Sequence, residues 1–289
     1  MLFRFLILAS LLLGISSVGA QICKDGVAGR NCCDVVTIAA CPIQGCGGDP
    51  ELNAKKNRTD LPTTDAEPLT FMEFASFTHP ASWTSGTGRS LLETWGEGRN
   101  IQLTGYVFEA DNYTQGAETT NCNLGTSDFN DFHIVLVEDL TLANKSKAAE
   151  QKVKDAEDAL EAAEQNGSSA AITTAKAKLK TAKSKFKTAH KKAEKQSITA
   201  EISPRLRPNV DPVGNSSSSD RIISLLRKYA RELTYVRVTG WAMLDTQHIS
   251  KPIDRRSNWE LHPVTKFEVC TATVADCDAG TGWVNLESQ

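Results

Sequence analysis

The sequence predicts a mainly β protein that carries an α-helical insertion. Two patterns in its 289 residues lead to this fold class. Several short segments alternate apolar and polar side chains with a period of two, as strands with one buried face do. One long segment between them repeats its apolar side chains with the heptad period of paired helices. A cysteine-rich stretch precedes both patterns.

Five segments have the period-two pattern and the β-branched or aromatic content of strands. They are Ile101–Ala110, Asp131–Asp139, Ser197–Leu206, Tyr235–Asp245 and Ser257–Cys270. In the last segment the alternation predicts four residues on the core side, namely Trp259, Leu261, Phe267 and Val269. Pro263 cannot donate a hydrogen bond to a neighbouring strand, so it predicts an edge or a bulge near His262.

A single amphipathic helix is expected between the third and fourth of these strands, at Asp220–Thr234. The order strand, strand, strand, helix, strand, strand resembles the OB-fold, a small five-stranded barrel. The stretches "LTGY" and "VTGW" place Gly105 and Gly240 inside the first and fourth strands, where a small barrel needs a bend or a bulge. The resemblance implies a five-stranded OB-like barrel that serves chiefly as a binding platform.

The helical insertion, residues 143–196, separates the second and third strands. Apolar or alanine side chains recur in alternating steps of three and four on both sides of "QNGSS", from position 149 to 163 and from 172 to 193. Two such helices joined by an Asn-Gly turn predict an antiparallel, coiled-coil-like hairpin. The first arm is rich in Glu and Asp and the second in Lys, which favours pairing of the arms. The hairpin is either a lever for a partner, a contact for an anionic surface, or a tolerated insertion.

The remaining segments divide the chain into regions. Residues 1–20 have the pattern of an export signal, with a basic residue, an apolar run and a small-residue cleavage site. Residues 21–60 are the cysteine-rich segment and residues 61–94 a linker. The barrel then comprises residues 95–142 for its first two strands and 197–289 for its last three. This order predicts a secreted or periplasmic protein, and no segment is long and apolar enough to span a membrane.

The eight cysteines agree with an oxidising compartment, because an even number allows every thiol to pair. Five of them lie before residue 50, so full pairing requires at least one bridge from the N-terminal cluster to a later cysteine. Cys270 and Cys277 are the expected local pair. A zinc site in the cluster is the other interpretation, although the paired C-x-x-C spacing of such sites is missing.

The net charge of −3 gives no support for nucleic-acid binding by bulk electrostatics. Arg205 and Arg207, at the end of the third strand, are nevertheless candidate ligand-binding residues. With Arg255 and Arg256 and nearby aromatic residues they have the composition of a surface that contacts phosphates and stacks on bases. An exported protein meets little nucleic acid, and this partner is therefore disfavoured.

Three histidines lie beside carboxylates: Asp131-x-His133, Asp245-x-x-His248 and Glu260-x-His262. Residues two apart on a strand share a face, and a carboxylate beside an imidazole fixes its tautomer and raises its basicity. Three interpretations stay open, namely ordinary strand-face or core histidines, a shared metal or acid–base site, and a face that binds another ligand. The second and fifth strands of an OB-like barrel are not neighbours and His248 would lie in a loop after the fourth strand, so nothing in the sequence shows whether the three histidines converge.

The sequence therefore predicts a secreted OB-like binding or interaction module for an unidentified ligand or partner. The alternative is a metal-dependent hydrolase of nuclease or phosphoesterase type, with His133, His248 and His262 as ligands or acid–base groups. The sequence has no G-x-S-x-G, H-E-x-x-H, Walker or dinucleotide-binding motif, so no cofactor is predicted. The stretches "GCGGDPELNAKKNR" and "NWELHPVTKFEVC" also resemble exported bacterial proteins of unassigned function, and that resemblance implies no catalytic residue.

Overall fold

The computed structural model describes residues 35–84, 87–112, 118–126, 128–210, 219–249 and 253–286. The predicted export signal and the first three cysteines (Cys23, Cys32 and Cys33) lie outside these residues. The strands of the described residues are β1 (Glu67–Pro68), β2 (Asn100–Asn112), β3 (Phe132–Val137), β4 (Ser197–Ile202), β5 (Tyr235–Leu244), β6 (Trp259–Cys270) and β7 (Trp283–Asn285). The α-helices are α1 (Pro50–Lys56), α2 (Phe71–Ala75), α3 (Ser90–Glu93), α4 (Leu140–Asn166), α5 (Ser169–Glu194), α6 (Arg207–Val210), α7 (Ser219–Glu232) and α8 (Val274–Asp278).

Strands β2 to β6 form a closed ring of hydrogen-bonded neighbours, in the order β2, β3, β4, β6, β5 and back to β2. Four of the five contacts are antiparallel, and that between β4 and β6 is parallel. The parallel contact registers only Ala200 with Leu261, and register shifts interrupt two of the antiparallel ones. The ring is therefore not a regular barrel. Outside it, β1 pairs with β2 and β7 with β6.

The predicted class, mainly β, describes the molecule only in part. About 42% of the described residues lie in helices and about 22% in strands. The two arms of the insertion account for the difference, since α4 has 27 residues and α5 has 26. The structure is a mixed sheet closed into a ring, with a long helical insertion and several short helices around it.

The core fills the ring and continues under the helices that pack on it, among them α2 and α7. Alternate residues of the strands point inward, among them Ile198, Ala200 and Ile202 of β4, all fully buried. Helix α7 lies against β2 and adds its apolar stripe to this core. The four apolar residues predicted to face the core from the last strand do so.

Residues 61–94, expected to be a linker, pack onto the ring. They contain β1, α2 and α3 and bury Phe71, Phe74 and Leu92 in the core. Helix α2 begins with a capping box, in which the hydroxyl of Thr70 accepts from the Glu73 amide while the Glu73 carboxylate accepts from the Thr70 amide. The aromatic residues of this short helix stay buried because its first turn is fixed in this way.

The two strand glycines serve different purposes. Gly240 lies at a register shift between β5 and β6, as the bulge prediction requires. Gly105 gives room for a neighbouring ring, because a Cβ at this position would lie 2.8 Å from Cζ of Phe71. The register of β6 also jumps from Leu261 to Val264 around Pro263, so the predicted irregularity near His262 is confirmed, within a strand that is paired on both sides.

Helices α4 and α5 form the predicted antiparallel hairpin. The heptad positions of both arms are buried or half-buried, while most of the residues between them are exposed. Glu157 pairs with Lys183 at 2.9 Å and Glu164 with Lys176 at 3.5 Å, so acidic and basic arms attract each other as expected. No helix of the described ranges is long and apolar enough to cross a membrane.

Two disulfides are present in the described residues. Cys41 pairs with Cys122, which provides the predicted bridge between the N-terminal segment and the later chain. Cys270 pairs with Cys277 and fastens the end of β6 to α8, again as predicted.

Candidate functional site

The outward face of β3, β4 and β6 carries polar side chains where the inward face is apolar. Strict alternation explains this arrangement. His133 of β3 lies directly opposite Glu201 of β4, and Glu260 and His262 of β6 take the same side beyond it. Strand β4 lies between β3 and β6, and it carries Glu201 between the two predicted histidine–carboxylate pairs.

A cavity of about 690 Å³ lies over this face. Its floor is formed by β3 and β4, and two loops form walls, with residues 118–120 before β3 and with residues 245, 247, 248 and 253–255 after β5. Lys56 at the end of α1 closes another side, and the hairpin contributes Glu194 near its base. Side chains from distant parts of the chain therefore meet around one space.

Glu201 connects two of the predicted histidines. Its Oε1 lies 3.1 Å from His133 Nδ1 and its Oε2 lies 2.9 Å from His262 Nδ1. Burial disfavours the Glu201 carboxylate, but the imidazoles of His133 and His262 outweigh that effect and hold its pKa well below the usual value. The sequence left open whether the histidines converge. The strands of His133 and His262 are not neighbours, but a carboxylate on the strand between them reaches both.

His262 is fully buried and is surrounded by carboxylates. Besides Glu201, Glu260 Oε1 lies 3.3 Å from its Nδ1 and Asp131 Oδ2 lies 3.5 Å from its Nε2. Burial alone would lower the pKa of His262, but these carboxylates, led by Glu201, raise it to about 10. Burial, followed by the charge of Glu118, raises the pKa of Asp131 to about 6. The group therefore holds an imidazolium at neutral pH.

The third histidine joins the same network through an arginine. Arg255 Nη1 donates to Glu260 Oε2 at 3.0 Å, and its Nη2 donates to Asp245. Asp245 also accepts from His248 Nδ1 at 2.6 Å. Burial opposes ionisation of Asp245, but the His248 hydrogen bond and the charges of Lys56 and Arg255 lower its pKa. Five of the predicted site residues (Asp131, His133, His248, Glu260 and His262) thus belong to one connected cluster.

The other two predicted site residues support neighbouring segments. Arg205 donates to Asn57 Oδ1 at 3.1 Å and to a backbone carbonyl of the cysteine-rich segment. Arg207 donates to the carbonyl of Asp128 at 2.7 Å and stacks over Phe132. Both guanidinium groups hold the loop before β3 or the segment before α1 in place, and neither lines the cavity.

Glu201 and Lys56 are among the members of the site that the sequence analysis did not assign to it. Glu201 stands in "SITAEI", where the period-two pattern already places it opposite the apolar face. That pattern was a usable signal. Lys56 comes from a short helix far away in the chain; burial would lower its pKa, but the site carboxylates, led by Glu201, raise it. Nothing in the local sequence indicates that Lys56 reaches this cavity.

The cavity lining is predominantly acidic. Six carboxylates line it: Glu109, Glu118, Glu194, Glu201, Asp245 and Asp254. Lys56 and Arg255 are the permanently charged cations among the described lining residues, and His133 and His248 complete the ionisable set. Cations are therefore attracted to this space more strongly than anions.

Two groups near the cavity combine ligand types that metal ions accept. In the buried group, Asp131, Glu201 and His262 each offer an atom, and the three atoms lie within 4.8 Å of one another. In the partly exposed group, at the hairpin base, His190 Nε2 lies 2.9 Å from Glu109 and 3.7 Å from Glu194.

Comparison of the chain with protein-family models, curated proteins and solved structures finds no match.

Proposed function

We propose that this protein is a binding module built on an OB-type barrel and that its cavity takes a small, positively charged ligand. The position of the cavity carries this proposal. OB-folds bind ligands over the face of their second and third strands, between the loop that joins strands one and two and the loop that joins strands four and five. Here the floor is β3 and β4, and the walls are the β2–β3 and β5–β6 loops.

Three features of the ring support the OB-type assignment. Strands β2 to β6 provide five strands in the order expected from the sequence, and α7 lies between the third and fourth of them. The ring closes between the first and fourth strands. The third and fifth strands, β4 and β6, pair in parallel. The chain between them, which includes α7 and β5, therefore returns to the end of the ring at which β4 began. The location of the binding site is thus argued by analogy with other OB-folds. The class of ligand is argued from the side chains that line the cavity.

The side chains favour a cation over a nucleic acid or a stacked ring. Carboxylates outnumber cationic groups among the lining residues, and a phosphate backbone is repelled by such a surface. Surfaces that bind single strands present aromatic platforms, and the described residues that line the cavity include no aromatic ring of Phe, Tyr or Trp.

The disulfides of the protein agree with a binding module that acts in an oxidising compartment. The two disulfides support secretion or a periplasmic location, because such bonds persist outside the cytosol. A binding protein in that location meets free cations directly.

Calorimetric titration with spermidine tests the proposal, with a thymidine octanucleotide as the anionic counterpart. We expect saturable spermidine binding and no binding of the octanucleotide. Glu118→Gln removes one lining charge and should weaken spermidine binding by about 1 kcal/mol, which is about fivefold. Glu161→Gln on the exposed face of α4 is the matched control and should leave binding unchanged. Octanucleotide binding, or equal effects of the two variants, would refute the proposed ligand class.

A metal-dependent hydrolase is the second candidate. The observation that favours it is the buried group of Asp131, Glu201 and His262 next to a cavity that Glu201 and His133 line. Hydrolysis of bis(p-nitrophenyl) phosphate in the presence of Zn²⁺ or Mn²⁺ is the corresponding assay. Turnover that disappears in His133→Gln supports this candidate, and a rate equal to that of the metal ions alone removes it.

A further inference from the structure

The buried group of Asp131, Glu201 and His262 has the spacing of a metal site before the ion is bound. The three residues come from the start of β3, from β4 and from β6, so three neighbouring strands hold them. His262 Nε2 and Asp131 Oδ2 are 3.5 Å apart. Two ligands about 2.0–2.2 Å from a tetrahedral zinc ion lie roughly 3.3–3.6 Å from each other. This pair of atoms therefore already has the separation that such an ion imposes.

An independent observation points to a ligand at the same place. His262 Nε2 is buried and makes no hydrogen bond within the described residues. Buried polar atoms without a partner are rare in native proteins, and each such atom requires an explanation. An ion between Nε2 and the Asp131 carboxylate supplies the missing partner.

The other ring nitrogen of His262 is held as it is in metal sites. Nδ1 lies at hydrogen-bond distance from Glu260 Oε1, 3.3 Å, which leaves Nε2 as the nitrogen available to an ion. Glu260 is in turn held by Arg255 at 3.0 Å. Carboxylates that accept from the second nitrogen of a ligating histidine orient the ring and strengthen it as a ligand.

We propose that Asp131, Glu201 and His262 bind one divalent transition-metal ion of the zinc class. A nitrogen ligand together with two carboxylates suits such ions, whereas calcium and magnesium sites use oxygen ligands. The ion displaces protons from the group, as metal binding to histidine and carboxylate side chains does. This inference rests on the proposed function, because it names the positively charged ligand that the acidic cavity admits.

The chain contains a second group of the same composition that serves as a control. Glu109, His190 and Glu194 also place three ligand atoms within 4.8 Å of one another. However, His190 Nε2 already lies within hydrogen-bond distance of Glu109, at 2.9 Å, and all three side chains are partly exposed. Within the described residues, the buried Nε2 that makes no hydrogen bond distinguishes the His262 group, and the ion is assigned to that group.

Titration of the chelator-treated, full-length protein with Co²⁺ tests this inference, with visible absorption as the readout. We expect one equivalent of Co²⁺ to produce ligand-field bands and one equivalent of Zn²⁺ to remove them. His262→Gln should weaken Co²⁺ binding at least about 100-fold, since loss of even an outer partner costs 10–100-fold. His190→Gln should leave the bands unchanged. Asp131→Asn, which keeps the shape of the side chain, provides a second variant if His262→Gln does not fold.

The possible outcomes separate this inference from the proposed function. Absence of Co²⁺ bands in the parent protein overturns the metal site, while spermidine binding in the same samples shows that the acidic cavity still takes cations. Bands that survive both His262→Gln and Asp131→Asn but vanish in His190→Gln overturn it as well and move the ion to the hairpin base. Co²⁺ binding that depends on His262, without spermidine binding, supports the metal site and limits the cavity to a metal ion.

Discussion

Removal of the Cys41–Cys122 disulfide should destabilise the protein strongly, because this bond closes a long loop. The two cysteines are 81 residues apart in sequence. A cross-link reduces the conformational entropy of the unfolded chain by an amount that grows with the logarithm of the loop length. For a separation of this size the expected contribution to the free energy of unfolding is about 4.5 kcal/mol. We therefore expect the variant Cys41→Ala with Cys122→Ala to lose about that much.

The second disulfide provides a matched comparison within the same chain. Cys270 and Cys277 are only seven residues apart, and the same relation gives about 2.4 kcal/mol. Both pairs are replaced by alanine, so each variant also loses a small amount of packing. The predicted quantity is therefore the difference between the two variants, about 2 kcal/mol, with the long loop costing more.

Equilibrium unfolding in guanidinium chloride, followed by circular dichroism, measures both losses. We also expect a larger dependence on denaturant concentration in the Cys41–Cys122 variant, because its unfolded chain is less compact. Equal losses in the two variants, or a greater loss from Cys270–Cys277, would refute the loop-entropy reasoning. The N-terminal segment would then have to be stabilised mainly by its native contacts.

Three further predictions concern the hairpin, the core, and the ion pair between His190 of the hairpin and Glu109 of the sheet. Replacement of residues 154–182 by a Gly-Ser turn should change the melting temperature by less than about 5 °C in circular dichroism, since this distal part packs mainly on itself; a fall of more than about 15 °C contradicts this. Phe71→Ala should lower the free energy of unfolding by about 3–5 kcal/mol in denaturant titration, and Phe71→Leu by clearly less; equal losses contradict the packing role. The hydrogen bond to Glu109 outweighs burial and raises the pKa of His190, so the contact stabilises the fold fully below the usual histidine pKa and is lost as the pH rises through the raised value. The stability of the parent protein relative to His190→Gln should therefore fall in thermal melts as the pH rises above the usual histidine pKa of about 6.5, and a gain in relative stability with rising pH contradicts the assignment.

The period-two and heptad patterns located the main elements because each pattern reflects a single local property. A strand with one apolar face must alternate polar and apolar side chains, and Ser197–Ile202 does so at every position, although all six residues are buried. A hairpin must bury one stripe on each arm, and α4 and α5 follow that rule along their length. Short helices such as α3 and α8 were not predicted, since they contain too few turns to show a period.

The site was predicted only in part. The sequence indicates which side chains share a face of one strand, but not which strands are adjacent in the sheet. The sequence indicates that His133 and His262 each share a face with a carboxylate, and that inference needs nothing beyond one strand. Whether the two faces meet depends on which strands are adjacent and on what the strand between them carries. Glu201 lies 68 positions from His133 because the hairpin is inserted between their strands, although the two residues are direct partners in the sheet. A long insertion separates in sequence what the ring keeps together in space.

The same insertion has two parts that differ in their relation to the site. Its base packs Ala143 and Ala193 against Phe108 and Val137 of the sheet, and Glu194 lines the cavity. Its distal part packs mainly on the opposite arm among the described residues. Deletion of the whole segment from Ala143 to Gln196 therefore removes core contacts and a cavity wall together. The shorter deletion of residues 154–182 keeps both, so spermidine binding in that variant should equal that of the parent protein. If binding is lost while the fold persists, the distal arms themselves contact the ligand, and the cavity is not the whole of the site.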